Sequence, residues 1–212
     1  MILVSACFGI EARWIDRGPD VRVVRTPMGA RAAEGLAGWD CGFGAEDVLI
    51  SAGFCGGLRE TLACGDLVLA DRVRAEDGEI YIDAGLLDQA RRALGASVCV
   101  GAVAARTHVV ETRQAKRELA ASGTVAVDME SGVLGRWAAE HDVRFLVLRA
   151  VLDPWDEDLV IRDATIGSVL RHPLAAMRLG RRATRAGRAM GEGIARLRDV
   201  LSVQEMGQRE AS

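Results

Sequence analysis

The chain has 212 residues, 50% of them hydrophobic and 27% charged, with a formal net charge of −3. That length holds one domain with a sizeable core and not two generous ones, and the near-neutral balance gives no whole-chain reason to expect nucleic acid as a partner. Five scattered cysteines (Cys7, Cys41, Cys55, Cys64 and Cys99) form no CxxC pair, which fits reduced cytosolic thiols better than a disulfide or zinc scaffold, and no metal site is expected.

The first stretch, MILVSACFGIEAR, is apolar but has no basic segment ahead of it and is broken by Glu11. It predicts a strand over residues 2–8 and not a signal peptide. No apolar run is long enough to span a bilayer. Further strands are predicted over residues 21–25, 47–52, 67–73, 98–105, 124–127 and 145–151. They are rich in Val, Leu, Ile and Ala, often on both alternating sets, as in a sheet covered on both faces. Helical patterns fall at residues 30–38, 85–94, 112–121, 131–140 and 164–170. The alternation predicts an α/β domain with a largely parallel or mixed sheet. The expected organisation is a core over residues 1–160, a helical segment over 161–203 and an unstructured tail over 204–212.

Ligands of such sheets collect at the carboxyl ends of strands, which singles out four stretches. CFGIEAR carries Glu11, either a first-turn helix acid or a base that orients a water or a ligand hydroxyl. SAGFCGGL places Gly53, Gly56 and Gly57 just past a strand, where they form a turn or let a ligand approach the main chain; it matches neither the dinucleotide nor the P-loop pattern. VDMES holds two acids. Asp128 or Ser131 caps the next helix with Glu130 in its first turn, or a carboxylate accepts hydrogen bonds from vicinal sugar hydroxyls with Met129 as an apolar contact. In VLRAVLDP, Asp153 is a turn former, or a buried acid whose raised pKa lets it donate a proton. Arg149 is its partner or a solvated cation.

From residue 170 to 201 the pattern changes. Arg171, Arg178, Arg181, Arg182, Arg185, Arg188, Arg196 and Arg198 face only Glu192 and Asp199, beside an apolar stripe of Ala183, Ala186, Met190, Ile194, Leu197 and Leu201. This predicts a basic amphipathic helix, weakened by Gly187, Gly191 and Gly193. It packs on the domain, or lies on an anionic membrane surface with its apolar side down. Nucleic acid is disfavoured because aromatic residues for stacking are absent.

In their order and spacing, the four stretches resemble the purine nucleoside phosphorylase/nucleosidase superfamily over residues 1–154, most closely its methylthioadenosine/S-adenosylhomocysteine nucleosidase branch. The resemblance implies a three-layer αβα sandwich with a mixed central sheet, and release of adenine by cleavage of an N-ribosidic bond. It implies that Glu130 binds ribose hydroxyls with Met129 on the sugar, and that Asp153 protonates the purine at N7. It also implies that Glu11 activates the attacking water, that Gly53 and Phe54 lie in the glycine-rich loop, and that Val109 and Val110 contact the base. Relatives are often homodimers or larger. Leu152 replaces the usual serine before the aspartate, His108 stands where nucleosidases tend to have an aspartate, and no arginine precedes the glycine loop. Arg13 or Arg31 would have to supply any phosphate contact, so water is favoured over phosphate as the co-substrate. The tail, LRHPLAAMRLGRRATRAGRAM, resembles hopanoid-associated phosphorylases, which implies adenosylhopane as substrate and a cytoplasmic enzyme at the inner face of the membrane. A soluble methylthioadenosine-type nucleosidase and a non-catalytic membrane-associated nucleoside-binding module are the alternatives.

Overall fold

The Val, Leu, Ile and Ala runs pair into one mixed sheet of eight strands in the computed structural model, which describes residues 1–39, 44–157 and 173–209. The strands are β1 (Ile2–Ala6), β2 (Val21–Arg25), β3 (Val48–Gly57), β4 (Leu67–Ala75), β5 (Gly78–Tyr81), β6 (Cys99–Ala105), β7 (Thr124–Asp128) and β8 (Arg144–Asp153). The helices are α1 (Gly9–Ala12), a 3-10 helix (Gly29–Leu36), α2 (Ala84–Leu94), α3 (Arg113–Ala121), α4 (Ser131–Glu140) and α5 (Pro173–Arg209). The helix expected at residues 164–170, together with Arg171 and Cys41, lies outside the described residues. Cys7, Cys55, Cys64 and Cys99 are free thiols.

β1 runs parallel to β2 and β3, and β3 runs parallel to β8. β8 is antiparallel to β4, β4 is parallel to β6, and β6 is parallel to β7. The last residues of β3 then pair with β7, antiparallel, so the pairings β3–β8–β4–β6–β7–β3 close a circuit. β5 is a short exposed addition to β4. Its four residues, GEIY, carry too little apolar pattern to announce a strand.

Two strands run further than their composition suggests. β3 does not turn at the glycines but continues through Gly57, because β8 on one edge and β7 on the other keep its backbone paired. β8 likewise reaches Asp153. Both extensions carry the chain into the region where the candidate residues lie.

α5 is part of the core. Ala186, Met190, Ile194, Leu197 and Leu201 are buried in the same cluster as the strands, and the helix packs on β8, β3 and β4 and against α1 and α2. The apolar stripe is therefore committed to the domain and is not the face that would enter a bilayer. The helix also continues to Arg209, past the boundary expected for a tail. Two of its glycines have a packing role. A Cβ on Gly191 would collide with the main-chain carbonyl of Trp14, and one on Gly187 would lie 2.6 Å from the Trp14 ring. Gly191→Ala is expected to destabilise the fold by about 1–3 kcal/mol through overpacking, less up to about 1 kcal/mol of gained helix propensity. Thermal denaturation checks this, with the exposed Gly180→Ala as the control that does not lower Tm.

Candidate functional site

Glu11 is the third residue of α1 and is 1% exposed. Its Oε2 accepts from the Phe8 N–H at 2.7 Å, and its Oε1 accepts from the Phe54 N–H at 2.8 Å. One carboxylate thus closes the short helix and ties it to β3. Gly53 makes the approach possible: a Cβ there would lie 3.1 Å from Glu11 Oε1 and would collide with the guanidinium of Arg149.

Arg149 is the centre of the cluster. It is 2% exposed, and its register partner on β3 is Gly53. Its Nε donates to Asp128 Oδ2 at 2.6 Å and its Nη2 to Ser51 Oγ at 2.7 Å. The other oxygen of Asp128 accepts from the Ser131 hydroxyl at 2.7 Å and the Ser131 N–H at 3.3 Å, at the start of α4. Asp128 is therefore fully engaged in holding the structure together. Glu130, the other acid of VDMES, accepts the Gly29 N–H from the 3-10 helix at 3.0 Å. Met129 lies beside it, with its methyl 3.5 Å from the Cβ position of Gly29.

Three buried acids thus surround one buried arginine. Burial pushes the carboxyls of Glu11 and Glu130 above the ordinary glutamate range, and Arg149 only partly opposes this. The half-buried Cys7 thiol beside them is pushed up to about 12, chiefly by desolvation and then by the two glutamates. Such a surplus of acid favours a cation in the site.

Asp153 ends β8 just past a register irregularity, where Cys55 pairs with Val151 but Gly56 with Asp153, so the strand's strict alternation from Arg149 is broken there and the Asp153 carboxylate faces Gly56. A Cβ on Gly56 would sit 3.3 Å from Asp153 Oδ2. Burial raises the pKa of Asp153, and Lys116 opposes the rise. Lys116 projects from α3, is 0% exposed, and donates to Asp153 Oδ2 at 2.5 Å, Pro154 O at 2.8 Å and Glu157 O at 3.1 Å.

The fold therefore brings Glu11, Gly53, Phe54, Met129 and Glu130 around Arg149, with Asp153 further along the same strand. Val109 and Val110 are half-buried between β6 and α3, and Val110 packs on Leu58, Ala104 and Val127. The two arginines considered for phosphate are occupied elsewhere. Arg31 is exposed and bonded to Glu34 through Nε and Nη2, and Arg13 is exposed with its guanidinium over the Trp14 ring. A guanidinium that does act on Cys7 is that of Arg25, about 3.9 Å from the Cβ position of Gly9. Among the described residues, no group of three or more His, Cys, Asp or Glu could hold a metal ion.

Sequence reasoning left the roles of Arg149 and Asp128 open and missed Lys116 altogether. The signal for Lys116 was in the composition: of 27 lysines and arginines it is the single lysine.

A family model described as the phosphorylase superfamily matches residues 14–172, well over half of the chain. The chain belongs to the phosphorylase superfamily. The match begins just after Glu11. The fold is also that of solved nucleosidases at low sequence identity. The 5'-methylthioadenosine/S-adenosylhomocysteine nucleosidase of S. pneumoniae, with a transition-state inhibitor, aligns with a TM-score of 0.73 at 18% identity, over 94% of this chain and 99% of that one. The corresponding Neisseria meningitidis nucleosidase gives a TM-score of 0.71 at 17% identity, over 92% and 97%. A futalosine hydrolase mutant of Helicobacter pylori gives 0.73 at 14%, over 93% and 98%. This superfamily member is an enzyme with the α/β nucleosidase fold and its mixed sheet.

The burial of Glu130 predicts a measurable linkage. The native state holds the Glu130 proton more tightly than the unfolded chain does, so this group's contribution to stability falls as pH rises upward from the ordinary glutamate range. Glu130→Gln keeps an acceptor for Gly29 and removes the charge. The variant is expected to melt no lower than wild type at pH 8 and closer to it at pH 5. Melting curves at the two pH values check this.

Proposed function

We propose that this protein cleaves the N-ribosidic bond of an adenine nucleoside and releases adenine. The observation that carries the reading is the buried acid surplus around Arg149, with a further, mostly buried acid, Asp153, held at the end of β8 by Lys116. As the bond from C1' to N9 breaks, its electron pair goes to the purine and positive charge develops on the sugar. Glu130 binds the ribose hydroxyls and, with Glu11, stabilises that charge, while Met129 packs on the sugar. Asp153 delivers a proton to N7 of the departing base. Glu11 orients a water for attack at C1' and takes its proton. Phe54, Val109 and Val110 line the base side. Acids held in different environments perform the opposite tasks of donor and base.

The similar structures support the choice of base, since one of the S. pneumoniae nucleosidase is with 8-aminoadenine and one of a Borrelia burgdorferi protein is bound to adenine. Water is the preferred nucleophile because Arg13 and Arg31 are engaged elsewhere. Incubating an adenine nucleoside with and without phosphate tests both points. Adenine and free sugar in both samples are expected; sugar 1-phosphate would mean phosphorolysis, and no adenine in either would remove the reading.

Adenosylhopane as substrate rests on the resemblance of the tail and on the arginines of α5. Arg178 and Arg181 are exposed, as is Met177, and this end of the helix is where a lipid surface would be met. No helix among the described residues is long and apolar enough to cross a membrane. Co-sedimentation with anionic vesicles of the full chain and of an Arg178→Glu/Arg181→Glu variant tests this. Retention of the wild type alone is expected; equal, negligible retention would leave a small adenine nucleoside as substrate.

A further inference from the structure

We infer that Lys116 is the proton reservoir for Asp153, a positioning residue that acts through that carboxylate in departure of the base. The inference rests on the proposed N-ribosidic cleavage and adds a residue to it. Three observations carry it. Lys116 is fully buried, and its three ammonium hydrogens meet three acceptors: Asp153 Oδ2 at 2.5 Å, Pro154 O at 2.8 Å and Glu157 O at 3.1 Å. It is also the chain's one lysine, where every other basic residue of this type is arginine. Arginine would supply charge and donors as well, but it does not give up a proton; lysine does. A chain that uses arginine throughout except against this one acid retains the property that arginine lacks.

In the resting site the proton is on Lys116 and Asp153 is a carboxylate. As the base leaves, Lys116 passes its proton to the Asp153 carboxylate and the acid so formed passes it on to N7, so the ammonium becomes an amine and the carboxylate is restored. The proton that Glu11 takes from the attacking water returns to solvent, and the amine of Lys116 is reprotonated from solvent, so the cycle closes with no net change. Among the described residues, the other charged or titratable groups that act on this pair include Arg182 on α5, Cys55 on β3 and Cys64 beyond it. The Glu157 carboxylate is turned to Arg182, at 2.6 and 2.8 Å.

The single lysine makes the test site-specific. Full-length protein labelled with [ε-13C]lysine gives one side-chain signal. That signal is expected to titrate over the pH range in which kcat for adenine release falls on the alkaline side, and to titrate differently in Asp153→Asn. Lys116→Met is expected to move that alkaline limb down by a pH unit or more, because Asp153 then holds the only proton. Lys116→Arg is expected to lower kcat at pH 7 by about 100-fold, within the range of general acid catalysis, with recovery toward acid pH. A 4-nitrophenyl riboside, whose leaving group needs no proton, is expected to be cleaved within about threefold of wild type by any folded variant. If the labelled signal does not titrate with the alkaline limb, or both substrates lose rate equally, Lys116 only braces the segment and the inference is wrong. If wild type cleaves neither substrate, the underlying reading has failed instead.

Discussion

Arg149→Met is expected to cost about 3–5 kcal/mol of stability, the effect of breaking a buried ion pair by removing one partner. Glu11, Asp128 and Glu130 would then be left with no buried cation among them, and Ser51 would lose its partner. Against a total of about 5–15 kcal/mol for a folded domain, that loss is large. For a chain of this length it corresponds to a fall in Tm of roughly 6–20 °C. Arg149→Lys is not expected to restore the loss, because Nε and Nη2 reach two acceptors in different directions and a single ammonium does not. Calorimetry of the variants decides it: a Tm within about 2 °C of wild type would mean that the arginine does not hold the cluster together.

Asp153→Asn is expected to reduce the rate of adenine release by about 10²–10⁴-fold, the range for general acid catalysis, while substrate binding changes little. The amide offers no proton of suitable acidity to N7, and it leaves Lys116 with neutral acceptors in place of a carboxylate. Single-turnover assays separate the chemical step from binding. A wild type no faster than the variant would instead support a nucleoside-binding module without turnover, the reading that Leu152 in place of serine had kept open.

The order of strands and helices was legible because the Val, Leu and Ile runs of a doubly covered sheet and the i, i+3, i+4 stripes of its helices are local signals. The ends of β3 and β8 were not. SAGFCGGL has the composition of a turn, and what keeps it extended is pairing with β7 and β8, residues about 70 and 100 positions away. The same distance hid the partners of the acids. The sequence showed two carboxylates around Met129 but not that Arg149 satisfies one of them while the other accepts from the Gly29 N–H. The basic tail misled in a different way. Its stripe correctly predicted a helix with one apolar face, but periodicity does not say what that face meets, and Gly187 and Gly191, which seemed to weaken the helix, are where it fits against Trp14.

The central physical claim is that Glu11 and Glu130 are held for a positively charged sugar. Isothermal titration compares an adenine nucleoside mimic whose sugar ring carries a protonated amine with an isosteric neutral one. The account predicts that the cationic mimic binds at least about 100-fold more tightly, as transition-state mimics do, and that Glu130→Gln removes most of the difference. Equal affinity of the two mimics for the wild-type protein would contradict it.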